Sequence, residues 1–108
     1  MKFEDAVKVI FDNEGGYLSP EQAAKIGDTG GETYRGIARN HNPSWIGWPV
    51  VDQIKKQKGG AIPWNYKDPR LDELAKPLFK TKYWDAPAIE KFPAKLHLLL
   101  FDAYVNIG

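Results

Sequence analysis

Between positions 14 and 33 the chain carries four side chains able to do acid–base chemistry or to hold a water: Glu14, Asp28, Glu32 and Thr33. Glu14 stands in Asn13-Glu14-Gly15-Gly16-Tyr17, the other three in Gly27-Asp28-Thr29-Gly30-Gly31-Glu32-Thr33. The first of these follows an amphipathic stretch that reads as a helix. A carboxyl group just past a helix C-terminus feels the negative end of the helix dipole, which raises its pKa. A raised carboxyl pKa is what a general acid needs near neutral pH. Cleavage of a glycosidic bond needs one protonated carboxyl for the leaving oxygen and a second group that activates water or stabilises the cation-like transition state. Glu14 suits the first role. Asp28, in a polar glycine-rich segment, stays ionised and suits the second, and the Thr33 hydroxyl can hold the water. Taken singly, the same residues read more plainly: Asp28 beside Gly27 as a turn residue and Glu32 as a surface charge.

The elements that must position these groups are mostly helical. Phe3, Ala6, Val7, Ile10 and Phe11 repeat at helical spacing and predict a helix over about 3–13, stopped by Gly15-Gly16. Ser19-Pro20-Glu21-Gln22 is a capping-box pattern that predicts a helical turn over about 20–26, closed by Gly27. Tyr17-Leu18 and Glu32-Thr33-Tyr34 are matched as a small irregular hairpin. A further helical turn is expected over Ile37 to His41. A short helix is expected over Pro49 to Lys56, with Val50, Val51 and Ile54 inward, ended by Lys58-Gly59-Gly60. Ala61 to Lys67 reads as a loop carrying Trp64 and Tyr66. Asp68-Pro69 is an N-cap followed by a first-turn proline. It opens a stripe of Leu71, Leu74, Ala75, Leu78 and Phe79 that Pro77 should kink or divide, and Tyr83 to Pro87 breaks it. The last stripe, Leu96 to Ile107, is widened by Leu98, Phe101 and Val105, which predicts a helix buried on most sides. The fold class is mainly α (α+β), with a small irregular β lobe near residues 15–38.

Bulk composition narrows the function. The 108 residues suit one domain. Fifteen basic and 14 acidic residues leave a formal net charge of +1, which gives no argument for nucleic acid as partner. With no cysteine there is no disulfide, thiolate nucleophile or cysteine metal site. His41 and His97 lack metal-ligand spacing, so no metal or other cofactor is expected, and His97 reads as core or helix-face packing. Lys55, Lys56 and Lys58 read as a solvated helix end. No apolar run is long enough to span a membrane, and the N-terminus, Met1-Lys2-Phe3-Glu4-Asp5, does not read as a secretory signal. Four tryptophans and five tyrosines could serve a sugar groove or the core. Trp64 and Tyr66, in a loop, are the better groove candidates.

Asn-Glu-Gly-Gly-Tyr at 13–17, Gly-Asp-Thr-Gly-Gly-Glu-Thr at 27–33 and Tyr-Arg-Gly-Ile at 34–37 resemble the N-terminal signature of the glycoside hydrolase family 108 muramidases, also known as secretion activating proteins. The likeness continues through Tyr83-Trp84-Asp85 and Phe101 to Gly108, and so covers nearly the whole chain. It implies a lysozyme-like, mostly helical catalytic domain over 1–108 that cleaves peptidoglycan, often as a phage or prophage endolysin. It implies Glu14 as catalytic acid, with Asp28 and Thr33 completing a Glu/Asp/Thr set like that of phage-type lysozymes. Tyr17, Gly30, Gly31, Glu32, Tyr34 and Asn106, within the matched motifs, become candidates for substrate contact beside Trp64 and Tyr66. The interval between Glu14 and Asp28 is longer than the family usually has, and the excess coincides with the Pro20–Ile26 turn.

The bond implied is the β-1,4 link between N-acetylmuramic acid and N-acetylglucosamine, with the glycan strand of peptidoglycan as partner and the protein a monomer. Such an enzyme would be made in the cytoplasm and reach the cell wall through another factor. Two other functions stay open. One is a lytic transglycosylase, which needs a single carboxyl group. The other is a non-catalytic peptidoglycan-binding or secretion-associated module. The family's small C-terminal peptidoglycan-binding domain has no counterpart here, and the apolar end of the chain reads as that of a fragment.

Overall fold

A computed structural model describes residues 1–13 and 15–107 of the protein. The fold is mainly α with one small antiparallel sheet, as the helical stripes and the single hairpin require. The chain divides into two compact units, residues 15–74 and residues 1–14 with 75–108.

The unit over 15–74 holds the sheet. Strand β1 (Tyr17–Leu18) pairs antiparallel with β2 (Thr33–Tyr34), Tyr17 opposite Tyr34 and Leu18 opposite Thr33. Between them lies α2 (Pro20–Lys25) with its capping box complete: Ser19 Oγ accepts from Gln22 N, and Gln22 Oε1 from Ser19 N. Of the helical turn expected over Ile37 to His41, residues 39–41 do turn, with His41 N and Asn42 N both on the Ala38 carbonyl, but Ile37–Ala38 instead form a third strand, β3, paired with β2. Its cause is the two-residue turn at Arg35-Gly36, both at positive φ (47° and 80°), the geometry whose twist suits a tight hairpin. A left-handed arginine is unfavourable by itself. Here its buried side chain is clamped on Asp72, Nη2 lying 3.1 Å from Oδ2 and Nε on Oδ1.

Helix α3 (Gly47–Gln57) begins two residues before the expected start; the Trp45 ring folds over Gly47, where a Cβ would meet it at 2.3 Å. Val51 and Ile54 face inward as expected, while Val50 is half-buried. Tyr34 stacks on Trp45 (6.2 Å between centroids), and Trp45 meets Trp48 edge-on (5.0 Å). Each indole N–H finds a carbonyl, Trp45 that of Leu74 and Trp48 that of Asn42, so this aromatic core costs no unpaired donor. Asp68 caps α4 (Pro69–Phe79), its Oδ1 accepting from Arg70 N at 2.9 Å.

The other unit contains α1 (Phe3–Asn13), whose stripe is buried as predicted. Phe3 packs edge-on against Trp84 and tilted against Phe101, and Phe11 packs edge-on against Phe79. Burial of each such side chain contributes about 1.5–3 kcal/mol. Pro77 does not divide α4; the helix runs on to Phe79 and then widens into a π-helical segment, Lys80–Asp85, continued by an Ala86 N to Thr81 O bond. The last helix, α5 (His97–Ile107), corrects the expectation of burial on most sides. Only His97 and Phe101 are buried, while Leu99, Tyr104 and Ile107 are 66%, 40% and 81% exposed. Its apolar residues run round the whole helix, and one packed face cannot bury them all. His97 is core packing, with Nε2 2.7 Å from the Phe92 carbonyl and its ring edge-on to Trp84. No helix among the described residues is long and apolar enough to cross a membrane.

Candidate active site

Glu14 lies outside the described residues. Asp28, Gly30, Gly31, Glu32, Thr33, Tyr34, Tyr17, Trp64 and Tyr66 all fall in the 15–74 unit. Asn106 belongs to the other unit, exposed on α5 with its Nδ2 donating back to the Asp102 carbonyl.

Alternation along the strands sorts the sheet residues by face. Tyr17 and Tyr34 are paired and share a face with Ile37 and Glu32; Leu18, Thr33 and Ala38 take the opposite one. Segment 28–31 folds against Ala38. A Cβ on Gly30 would meet the Ala38 Cβ at 2.4 Å and His41 at 3.1 Å, and one on Gly31 (φ +77) would meet the Asn40 amide at 2.8 Å. Both glycines are therefore required for close packing of this segment on the β3 turn. Thr33 thus lies on the Ala38 face of the sheet, and Glu32 on the opposite one.

Asp28 is exposed. Its Oδ1 accepts from Gly30 N at 2.7 Å, a local turn that fixes the carboxylate. Its other oxygen has no partner among the described residues and is open to water. Thr33 is 2% exposed, and its hydroxyl bonds no other described residue. An oriented carboxylate and a hydroxyl free of other described residues are each able to hold a water.

Glu32 corrects the surface-charge reading. It is buried, with three donors on its carboxylate: Tyr17 OH and Lys55 Nζ (2.7 Å) on Oε2, and Arg39 Nη1 (2.8 Å) on Oε1. Burial pushes its pKa up, but the bonds from Lys55, Tyr17 and Arg39 outweigh that and hold it below the ordinary carboxylate range. An ionised, saturated carboxylate cannot be the proton donor. Arg39 also forks onto Asp52 at 2.7 and 2.8 Å, holding Asp52 below its ordinary range, and lies over the Trp48 ring at 5.2 Å. Lys55 is accordingly not part of a solvated helix end.

Tyr17 and Tyr34 are 2% and 0% exposed. Burial first, and then bonding to carboxylates, raises both hydroxyl pKa values: Tyr17 donates to Glu32, and Tyr34 to Asp72 at 2.7 Å. Both rings are packed, with their hydroxyls engaged inside the protein. The Glu32 network escaped the sequence reading because β3 did. With the Arg35-Gly36 turn recognised, Glu32 stands opposite Arg39 across the hairpin, an opposite-charge cross-strand pair whose backbones bond at 2.8 Å.

Trp64 is the aromatic side chain that reaches solvent here, 67% exposed at the tip of a turn closed by Tyr66 N to Pro63 O. Asn65, at φ 62, completes the turn. The turn is laced to β1 by Tyr17 N to Tyr66 O, Asn65 N to Tyr17 O and Gly16 N to Asn65 Oδ1. The indole is therefore held out on ordered backbone, as a stacking surface must be. Tyr66 is half-buried, its hydroxyl on Asp68 and its ring under Lys58 Nζ at 4.7 Å.

A family model described as Glycosyl hydrolase 108 matches residues 7–108, a span that contains every candidate site residue. No curated protein and no solved structure matches the chain.

Proposed function

The chain belongs to the glycosyl hydrolase 108 family and is a peptidoglycan hydrolase in that general sense, and from this premise we propose that it is an N-acetylmuramidase. The bond cut is the β-1,4 link between N-acetylmuramic acid and N-acetylglucosamine. Glu14 donates its proton to the leaving oxygen. Asp28 orients or deprotonates the attacking water, or stabilises the cationic sugar, and Thr33 positions that water. Trp64 stacks on a sugar ring of the strand. The family match over nearly the whole chain carries this reading. The fixed, solvent-open carboxylate of Asp28 supports it, and so does the saturation of Glu32, which removes that acid as a proton donor. Residues 1–108 act as one catalytic domain on the glycan strand, as a monomer, after delivery to the wall by another factor.

Purified peptidoglycan incubated with the protein, followed by mass spectrometry of the soluble fragments, tests the proposal. Reducing muramic-acid ends are expected. Anhydro-muramic ends would instead establish a lytic transglycosylase. Absence of fragments from well-folded protein would point to a binding module.

A further inference from the structure

A cleft of about 300 Å³ opens in the 15–74 unit, away from the Thr33 face. It is lined by the start of α2 with Glu21, by Lys55 of α3, by the segment 60–62 and by Tyr17. Its lining carries charges of both signs. Lys55 spends one N–H on Glu32 at 2.7 Å, keeps a side chain 31% exposed, and makes no other hydrogen bond among the described residues. The backbone N–H groups of Ala61 and Ile62 likewise have no partner among the described residues. The Glu21 carboxylate is exposed and unpaired among them too. Buried Ile62 and the Tyr17 ring supply apolar wall. A lining that holds a cation, unbonded backbone amides and a carboxylate complements a ligand that carries both charges; a sugar hydroxyl needs neither.

We infer that this cleft holds the peptide branch of the substrate, at a residue bearing a carboxylate beside a free amine. Lys55 and the amides of Ala61 and Ile62 receive the carboxylate, and Glu21 receives the ammonium. The inference deepens the hydrolase reading and rests on it for the source of the peptide. Peptidoglycan strands carry short peptides with carboxylates and a diamino acid, so the cleft selects strands that keep their peptides over stripped glycan.

The test is titration of the full chain, followed by amide NMR, with a synthetic tripeptide that ends in a γ-linked D-glutamate and a diamino acid with a free side-chain amine. Saturable shifts are expected at Ala61 and Ile62. Acetylating the amine, or Glu21→Gln, should each weaken binding about tenfold, the loss of one charge contact. Ala61→Trp, which fills the cleft from an exposed position, should abolish binding while the rest of the amide spectrum is unchanged. No saturable shift, or equal binding of the acetylated peptide, overturns the inference whether or not the protein cuts glycan. Peptide binding by a protein that releases no glycan fragments sustains the cleft and defeats the hydrolase reading instead.

Discussion

Replacing Glu32 by alanine should destabilise the protein by about 3 kcal/mol. Tyr17, 2% exposed, loses the acceptor of its hydroxyl; leaving a buried donor unpaired costs about 1–3 kcal/mol. Arg39 and Lys55 are 35% and 31% exposed, and Arg39 keeps Asp52. Water and that second carboxylate relieve both cations, so their losses together are about 1 kcal/mol. At a urea slope of about 1.5 kcal/mol per molar, the unfolding midpoint falls by about 2 M. The pH dependence carries a sign. The folded pKa of Glu32 lies below its ordinary value, so its contribution is complete above the ordinary carboxylate range and is lost as pH falls through the lower folded value. The gap between wild type and Glu32→Ala should therefore be full at pH 7 and narrow in acid by the part that depends on the charge, while the part due to the Tyr17 hydroxyl persists. A midpoint shift under about 0.3 M at pH 7, within the range of ordinary surface substitutions, would refute the buried-hub description.

Three further outcomes follow from the same geometry. Gly30→Ala forces a methyl to within 2.4 Å of the Ala38 Cβ; overpacking of this kind costs about 2 kcal/mol, read as a fall of about 10 °C in Tm. Trp64→Ala, at a 67% exposed position, should leave stability within about 0.5 kcal/mol while raising KM for peptidoglycan about threefold to tenfold, the worth of one stacking contact. Asp68→Ala removes the α4 cap and should cost about 1 kcal/mol at neutral pH. Because Arg70 holds Asp68 down to about 2, that cost should fade in urea titrations as pH falls from about 4 towards 2.

Local signals were legible where one element decides its own shape. The α1 stripe, the Ser19 capping box and the Asp68-Pro69 start of α4 stand where their side chains predict. The pairing of Tyr17-Leu18 with Thr33-Tyr34 is also where alternation and flanking glycines place it. What was not legible depends on partners distant in the chain. Ile37 and Ala38 are too few for any period to show, and their strand is imposed by a turn whose arginine is steadied by Asp72, 37 positions away. Lys55 looked like one of a solvated run until α3 brought it to Glu32. Trp64 and Tyr66 read alike in a loop, yet the turn exposes one and Lys58 covers the other. In α5, apolar residues on every side suggested burial on most sides, because which side is packed depends on neighbours distant in the chain.

The central proposal is that the carboxyl group of Glu14 supplies the proton that breaks the glycosidic bond. Turnover of purified peptidoglycan by wild type and by Glu14→Gln, at matched concentration and with unfolding midpoints measured alongside, tests it most directly. The account predicts a fall in kcat of about 10²-fold or more, with the same fragments from whatever residual cutting persists and an unchanged midpoint. A Gln variant that cuts as fast as wild type would contradict it.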